Sequence, residues 1–99
     1  THQARMAAMV MLENLMLFDK KQQDYGPYNI CGNPNPILGV AFRAGDKVNR
    51  LMNLLLNSDG RVNNESVDDS CVDLANYGVI GQILLRKCWL SPEEQDRTT

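Results

Sequence analysis

The chain has 99 residues, an apolar fraction of 43% and a formal charge of −2. A chain of this length forms one domain, or one part of a core that subunits share. The pI of about 5.2 argues against a protein that binds extended nucleic acid over a broad basic face. No uninterrupted apolar stretch reaches the roughly 18 residues that a membrane span needs, so we expect no membrane partner.

The cysteines bear on the compartment. Cys31, Cys71 and Cys88 are an odd number without a CxxC pair. This pattern favours neither a disulfide framework nor a zinc site, and it is typical of a reducing environment. No basic segment followed by a small-residue cleavage site opens the sequence, so we expect no secretory signal. The sequence therefore predicts a cytoplasmic protein.

Residues 4–23 predict a first helix, because they lack Gly and Pro and are rich in Met, Leu and Ala, which are good helix formers. The apolar residues of its middle cover more than one face: Met6, Met9, Val10, Leu12, Leu15, Met16, Leu17 and Phe18. A chain of 99 residues can hardly bury such a helix on every side. We therefore predict a homo-oligomer, a dimer or tetramer, whose subunits complete the core.

The next stretch, "DYGPYNICGNPNPILG" at residues 24–39, contains three of the four Pro residues, two of them preceded by Asn. These are turn signals, and they predict a long loop. A connection of this length inside a compact domain is more often functional than accidental. Tyr25 and Tyr28 lie on either side of Gly-Pro, and either packing of the two rings against a turn or contact with a ligand explains them.

Residues 40–57, "VAFRAGDKVNRLMNLLLN", show the periodicity of a second helix. Its polar side chains fall within an arc of about 120°, and they are Arg43, Asp46, Lys47, Arg50, Asn53 and Asn57. Apolar side chains occupy the other side: Val48, Leu51, Met52 and Leu55. The two faces predict one side that packs and one side that meets solvent or a ligand.

A third helix is predicted over residues 65–87, with Asn63 or Asn64 as its N-cap. Its first half places Glu65, Asp69, Asp73 and Asn76 within about 80° of one another, whereas "VIGQILL" at residues 79–85 is apolar all round. Residues 1–91 then form the domain, and we expect the polar tail, residues 92–99, to fray. No strand pattern persists, so we predict an all-α bundle of three main helices and a long loop.

The row of carboxylates on the third helix needs an explanation, because like charges one turn apart destabilise a helix. Two interactions offset the repulsion: salt bridges to Arg43, Lys47 and Arg50, or an oxygen-ligated divalent cation. A merely solvated face is the third alternative. The substitution Asp73→Asn distinguishes the salt bridges from the metal site. If Asp73 binds a metal, the substitution leaves the melting temperature of the metal-free protein equal or higher. If Asp73 forms a partly buried salt bridge, it lowers the free energy of unfolding by up to roughly 3–5 kcal/mol.

Three segments together resemble a known family: "KKQQDYGPYNI", "GVAFRAGDKVNRLMNLLLN" and "NNESVDDSCVDLANYGVI". Their combination of "R..DK..RL.NLL", "NES..D" and "DLANY" in this order resembles the small, often phage-encoded nucleotide-modification-associated domain family over residues 20–85. The helix pattern of that family is similar to the all-α NTP pyrophosphatases typified by MazG and to the dimeric all-α dUTPases. Those enzymes hold Mg²⁺ with acidic residues on two adjacent helices and release pyrophosphate from a nucleoside triphosphate.

The resemblance implies a metal site on the third helix. The pattern "D..VDL" from Asp69 to Leu74 is similar to the acidic motif of the MazG-like third helix. It implies Mg²⁺ ligands at Asp69 and Asp73, with Glu65 as a third. The glutamates of the second helix in that superfamily are not matched, and "RAGDKVNR" at residues 43–50 stands in their place.

The resemblance also implies a function, namely an Mg²⁺-dependent protein that binds (deoxy)nucleotides and hydrolyses them as an NTP pyrophosphohydrolase does. Asp46 or Glu65 would orient the attacking water. The implied substrate-binding residues are Arg43, Lys47 and Arg50 for the phosphates and Tyr25, Asn29, Asn76 and Tyr77 for base and sugar. One alternative is a non-catalytic nucleotide-binding or adaptor protein in a phage nucleotide-modification pathway, located in the host cytoplasm. The other is a helical interaction module whose acidic and basic faces pair.

Overall fold

The protein is a small helical bundle. The computed structural model describes residues 1–25, 28–57 and 64–98, without the side chains of residues 64, 65, 97 and 98. It contains α1 (His2–Asp24), α2 (Pro36–Leu56), α3 (Asn64–Leu85) and α4 (Pro92–Thr98). No strand occurs in these ranges, so the predicted all-α bundle of three main helices and a loop is confirmed.

The second helix begins earlier than the sequence predicted. Asn35 is its N-cap, with a side-chain oxygen that accepts a hydrogen bond from the Leu38 backbone N–H at 3.3 Å, and Pro36 occupies the first turn. Proline is favourable there because its missing N–H would have no helical partner. The segment Asn-Pro therefore starts a helix, and the loop is shorter than predicted. Two residues were predicted as alternative N-caps of α3. Asn63 lies outside the described residues, and the side chain of Asn64 is not described.

Residues 92–98 of the polar tail form the helix α4, and the expectation that it frays stays a prediction. The Glu94 backbone N–H donates to Ser91 Oγ at 3.3 Å, and the Ser91 backbone N–H donates to Glu94 Oε1 at 3.1 Å. This reciprocal pair is a capping box, and it satisfies two donors that a helix end would otherwise leave unpaired. The motif Ser-Pro-Glu-Glu thus stabilises α4.

The core lies where the C-terminal half of α1, the loop, α2 and α3 meet. Among the described residues, three apolar side chains are buried, namely Ile30 of the loop, Val40 of α2 and Ile80 of α3. Partly buried rings and a leucine pack around them: Phe18, Tyr77, Leu84 and Trp89. The rings of Phe18 and Trp89 meet edge to face, with centroids 6.4 Å apart. This core holds the C-terminal end of α1 against the rest of the protein.

The side of α2 that packs is not its most apolar side. Val40 is buried, and a half-buried stripe continues it along the helix through Ala44, Lys47, Leu51 and Leu54. Val48, Met52 and Leu55, by contrast, are 43–55% exposed. Lys47 lies on the inner stripe because its ammonium group pairs with a carboxylate of α3. Much of the apolar face of α2 is therefore left on the surface.

The shape of the chain is extended. Its radius of gyration is 15.7 Å, whereas a compact chain of 100 residues has about 13 Å. The side chains of residues 1–13 are all exposed, so the N-terminal half of α1 projects from the bundle. Within the described ranges, no helix combines the length and the apolar character needed to cross a bilayer.

Candidate functional site

Asp73 joins three helices. Its Oδ1 accepts a hydrogen bond from Lys21 Nζ of α1 at 2.5 Å, and its Oδ2 accepts one from Lys47 Nζ of α2 at 2.8 Å. The Asp73 side chain is only 16% exposed. Lys47 was among the partners that the salt-bridge alternative predicted. Lys21 was missed, because periodicity within one helix does not reveal which residue of another helix lies nearby.

The surroundings of Asp73 keep it ionised. Burial alone would raise the pKa of its carboxyl group, but the hydrogen bonds from Lys21 and Lys47 outweigh burial and lower the pKa. The same bond to Asp73 raises the pKa of Lys21. Both shifts favour the charged pair at neutral pH. The carboxylate is thus held by two cations that offset its repulsion from neighbouring acids.

The Mg²⁺ site implied by the resemblance is not assembled by the side chains that the structure describes. Mg²⁺ requires an almost octahedral set of oxygen ligands, and no group of three possible metal-ligating side chains converges among the described residues. Both oxygens of Asp73 accept from lysines, Asp69 is exposed, and the Glu65 side chain lies outside the description. The three-carboxylate site therefore stays a prediction, and the described donors do not fit the ion as they stand.

Four of the residues that the resemblance predicts to bind a nucleotide line one cavity of about 350 Å³, which we call the nucleotide cavity after that prediction. Tyr25 follows α1, Asn29 comes from the loop, Arg43 from α2 and Tyr77 from α3. Arg43 Nη2 donates to the backbone carbonyl of Asn29 at 3.2 Å. Gln22, Ile30 and Ile80 complete the lining. Residues far apart in sequence thus form one site.

The nucleotide cavity adjoins the ion pair. A narrow cleft of about 30 Å³ is lined by Lys21, Asp73 and Asn76 and by side chains that also line the nucleotide cavity: Gln22, Tyr25, Tyr77 and Ile80. Asn76 therefore lies next to the cavity, as the substrate-binding prediction requires. Asp73 also lines this cleft, where its two carboxylate oxygens accept hydrogen bonds from lysines.

The remaining predicted residues of α2 lie elsewhere. Asp46 and Arg50 line a different cavity of about 530 Å³, together with Asn49, Asn53, Leu54 and Asn57. An arc of about 120° on a helix is wide enough to meet two environments. The polar face of α2 is therefore divided, and the water-orienting role predicted for Asp46 would have to operate outside the nucleotide cavity.

Gln22 was missed by the sequence interpretation, although it lines the nucleotide cavity, the cleft and a third cavity near α4. A signal for it exists in the sequence. Phe18, Lys21, Gln22 and Tyr25 follow the spacing i, i+3, i+4, i+7, which places them on one face of α1. That face is the one that meets α3.

Comparison of the chain with protein-family models, with curated proteins and with solved structures finds no match. The resemblance to nucleotide-modification-associated domains therefore rests on the three sequence segments alone.

Proposed function

We propose that this chain binds a nucleotide in the nucleotide cavity and does not hydrolyse it. The observation that carries the proposal is the convergence of Tyr25, Asn29, Arg43 and Tyr77 from four parts of the chain on one cavity. Its volume of about 350 Å³ lies within the roughly 300–1,000 Å³ of small-molecule sites. A guanidinium matches the phosphates of a nucleotide, and aromatic rings with an amide match the less charged part of the ligand next to them.

Arg43 is the residue that would hold the phosphates. It is exposed, and its guanidinium donates a hydrogen bond to the Asn29 carbonyl. A guanidinium has five N–H groups in a planar fork, so further donors remain for a phosphate. Lys21 and Lys47 are engaged with Asp73. Arg43 is thus the cation that the nucleotide cavity itself offers.

Binding without turnover is the alternative that the geometry favours over pyrophosphohydrolysis. The described lining of the nucleotide cavity contains no carboxylate, and Asp73, in the adjoining cleft, is paired with two lysines. A hydrolase of this kind needs carboxylates for metal and water. The role supported best is therefore that of a nucleotide-binding or adaptor protein.

Isothermal titration calorimetry with the four deoxynucleoside triphosphates, with and without Mg²⁺, tests this proposal. Arg43→Gln should raise the Kd about 10-fold to 100-fold, because it removes charge-assisted hydrogen bonds of about 1.5–3 kcal/mol. Arg50→Gln is the matched control, since it lies two turns further along α2 in a different cavity, and it should leave the Kd within about twofold. Absence of binding for every nucleotide would refute the proposal, and release of pyrophosphate would favour the hydrolase.

We also propose that the protein is a homo-oligomer. Large apolar side chains remain exposed on the projecting half of α1 and on the outer face of α2, and together we call them the exposed apolar surface: Met6, Met9, Val10, Met11, Leu12, Leu15, Met16, Leu38, Phe42, Val48, Met52, Leu55 and Leu56. Large exposed apolar patches mark interaction sites. A second copy of the chain is the partner that would cover it.

The total surface area supports this assembly. The chain exposes 7586 Å², whereas a compact monomer of its mass exposes about 5,700 Å². The excess is larger than the roughly 800 Å² that each partner contributes to a standard interface. Light scattering during size-exclusion chromatography should report a dimer or tetramer. A monomer at micromolar concentration would contradict the proposal.

A further inference from the structure

A second cavity of about 540 Å³ lies between the C-terminal end of α1, the loop, the end of α3 and α4. We call it the neutral cavity, because none of the ten described residues that line it carries a formal charge. Four of them bear side-chain amides, two bear aromatic rings, and the others are largely apolar: Gln22, Gln23, Asn29, Gln95, Tyr25, Trp89, Ile83, Cys88, Leu90 and Pro92.

The lining of the neutral cavity defines the ligand that it fits. Each amide offers two N–H donors and a carbonyl acceptor, and the rings of Tyr25 and Trp89 offer flat apolar faces. An anion would find no cation among these side chains. A flat, uncharged ring with hydrogen-bonding edges would find both partners, since bases stack on aromatic side chains and are read along their edges.

The two cavities are adjacent, because they share lining residues. Gln22, Tyr25 and Asn29 line both of them, whereas Arg43 belongs to the nucleotide cavity alone. A ligand that spans both would therefore meet a guanidinium at one end and amides with aromatic rings at the other. A nucleotide has this distribution of charge, with anionic phosphates at one end and a neutral heteroaromatic base at the other.

We infer that the neutral cavity binds the base of the nucleotide, stacked on Trp89, while Arg43 binds the phosphates. This inference rests on the proposed function and adds the direction in which the nucleotide lies. Tyr25 and Asn29, at the junction of the cavities, are then placed beside the sugar. Tyr77, which lines the nucleotide cavity but not the neutral cavity, lies on the phosphate side of that junction.

The walls of the neutral cavity are held in place before any ligand arrives. The Tyr28 hydroxyl donates to Glu93 Oε1, which ties the loop to α4. Gln95 Nε2 donates to the Leu90 carbonyl at 3.0 Å. The edge of one ring of the Phe18–Trp89 pair meets the face of the other, with an interplanar angle of 84°, so the indole has a fixed orientation. A site formed in advance avoids part of the ordering cost of binding.

Trp89 provides the test, because it is the only tryptophan in the chain. Its fluorescence should be quenched or shifted by deoxynucleosides and by deoxynucleoside triphosphates. Inorganic triphosphate should bind in calorimetry and leave the emission unchanged, since it lacks a base. This comparison uses the unmutated protein and needs no variant to fold.

A pair of cysteine variants provides the control. Cys88→Phe places a ring in the neutral cavity and should weaken binding of deoxynucleoside triphosphates at least tenfold, while binding of inorganic triphosphate is retained. Cys71→Phe makes the same change at an exposed position of α3 that lines neither cavity, and it should change neither affinity.

The outcomes separate the two proposals. Nucleotide binding that is weakened by Arg43→Gln, but leaves Trp89 emission unchanged and is unaffected by Cys88→Phe, would overturn the base assignment and leave the proposed function standing. Failure of every nucleotide to bind would overturn both.

Discussion

Among the single residues, Asp73 makes the contacts that join α1, α2 and α3. The spacing of Glu65, Asp69 and Asp73 predicts a helix face whose charge needs an offset, and at Asp73 the structure shows one. The spacing left open whether lysines or a metal provide that offset, because the answer depends on which side chains α1 and α2 bring to α3. The structure brings Lys21 and Lys47 to Asp73. Long-range proximity of this kind cannot be read from one helix.

Asp73→Asn should destabilise the protein by about 1–3 kcal/mol, because it leaves two ammonium groups without their anion. The expected loss is below that of a fully buried pair, since the Lys21 and Lys47 side chains are 34% and 30% exposed. Asp69→Asn, one turn earlier and exposed, is the control and should change stability by less than about 0.5 kcal/mol. Chemical denaturation measures both. An unchanged or raised stability of Asp73→Asn would instead favour the metal interpretation.

The ion pairs of Asp73 with Lys21 and Lys47 predict how the free energy of unfolding depends on pH. The pKa of Asp73 is lower in the folded protein than its ordinary value of 3.8. The unfolded chain therefore binds the proton more readily, and the contribution of the pair is present above about pH 4 and is lost as the pH falls through the folded pKa. The pKa of Lys21 is raised above 10.5, so its contribution is lost only above that pH. The stability difference between the unmutated protein and Asp73→Asn should thus shrink in acid; a constant difference from pH 7 to pH 2 would exclude the pair as its cause.

At the scale of elements, the three main helices could be predicted because periodicity and helix formers agree over long stretches. The errors concern their ends. The sequence predicts a turn at Asn35-Pro36, but Asn35 caps α2. It predicts a polar tail from Pro92 onwards, and it does not predict the capping box of Ser91 and Glu94 that begins α4 there. Helix caps and turns use the same residue types. Which of the two forms depends on how the residues after the segment pack.

The turn that positions Asn29 depends on Gly32. A methyl group added there would lie 2.6 Å from the backbone carbonyl oxygen of Tyr28, so the turn would have to shift. Gly32→Ala should cost about 1–3 kcal/mol and weaken nucleotide binding. Gly78→Ala in α3 is the matched control, since its added methyl group meets open space and should stabilise the helix by about 0.5–1 kcal/mol. Equal effects of the two variants on melting temperature would contradict this role for Gly32.

At the scale of the whole molecule, the sequence predicted more apolar surface than one chain can bury. The structure extends that observation from α1 to α2, because the packed stripe of α2 contains Lys47 while Val48, Met52 and Leu55 lie outside it. Composition alone could not assign these faces, since the pairing of Lys47 with Asp73 depends on how α2 packs against α3. Whether copies of the chain pair through these faces stays a proposal.

Met52→Glu should dissociate the oligomer, because it places a charge within the exposed apolar surface. Asn53→Glu is the matched control, since it is the adjacent exposed residue but lines the cavity with Asp46 and Arg50 instead. Sedimentation velocity should show a smaller species for Met52→Glu and an unchanged one for Asn53→Glu. If both variants sediment as the unmutated protein does, α2 takes no part in the interface.

An NMR titration of the ¹⁵N-labelled protein with each of the four deoxynucleoside triphosphates tests whether a nucleotide binds in the nucleotide cavity. Binding in the nucleotide cavity predicts that the largest amide shift changes occur at Tyr25, Asn29, Arg43 and Tyr77, with little change at Asp46 and Arg50. Spectra that no nucleotide changes, or changes concentrated at Asp46 and Arg50, would contradict the claim that these four residues form a nucleotide site.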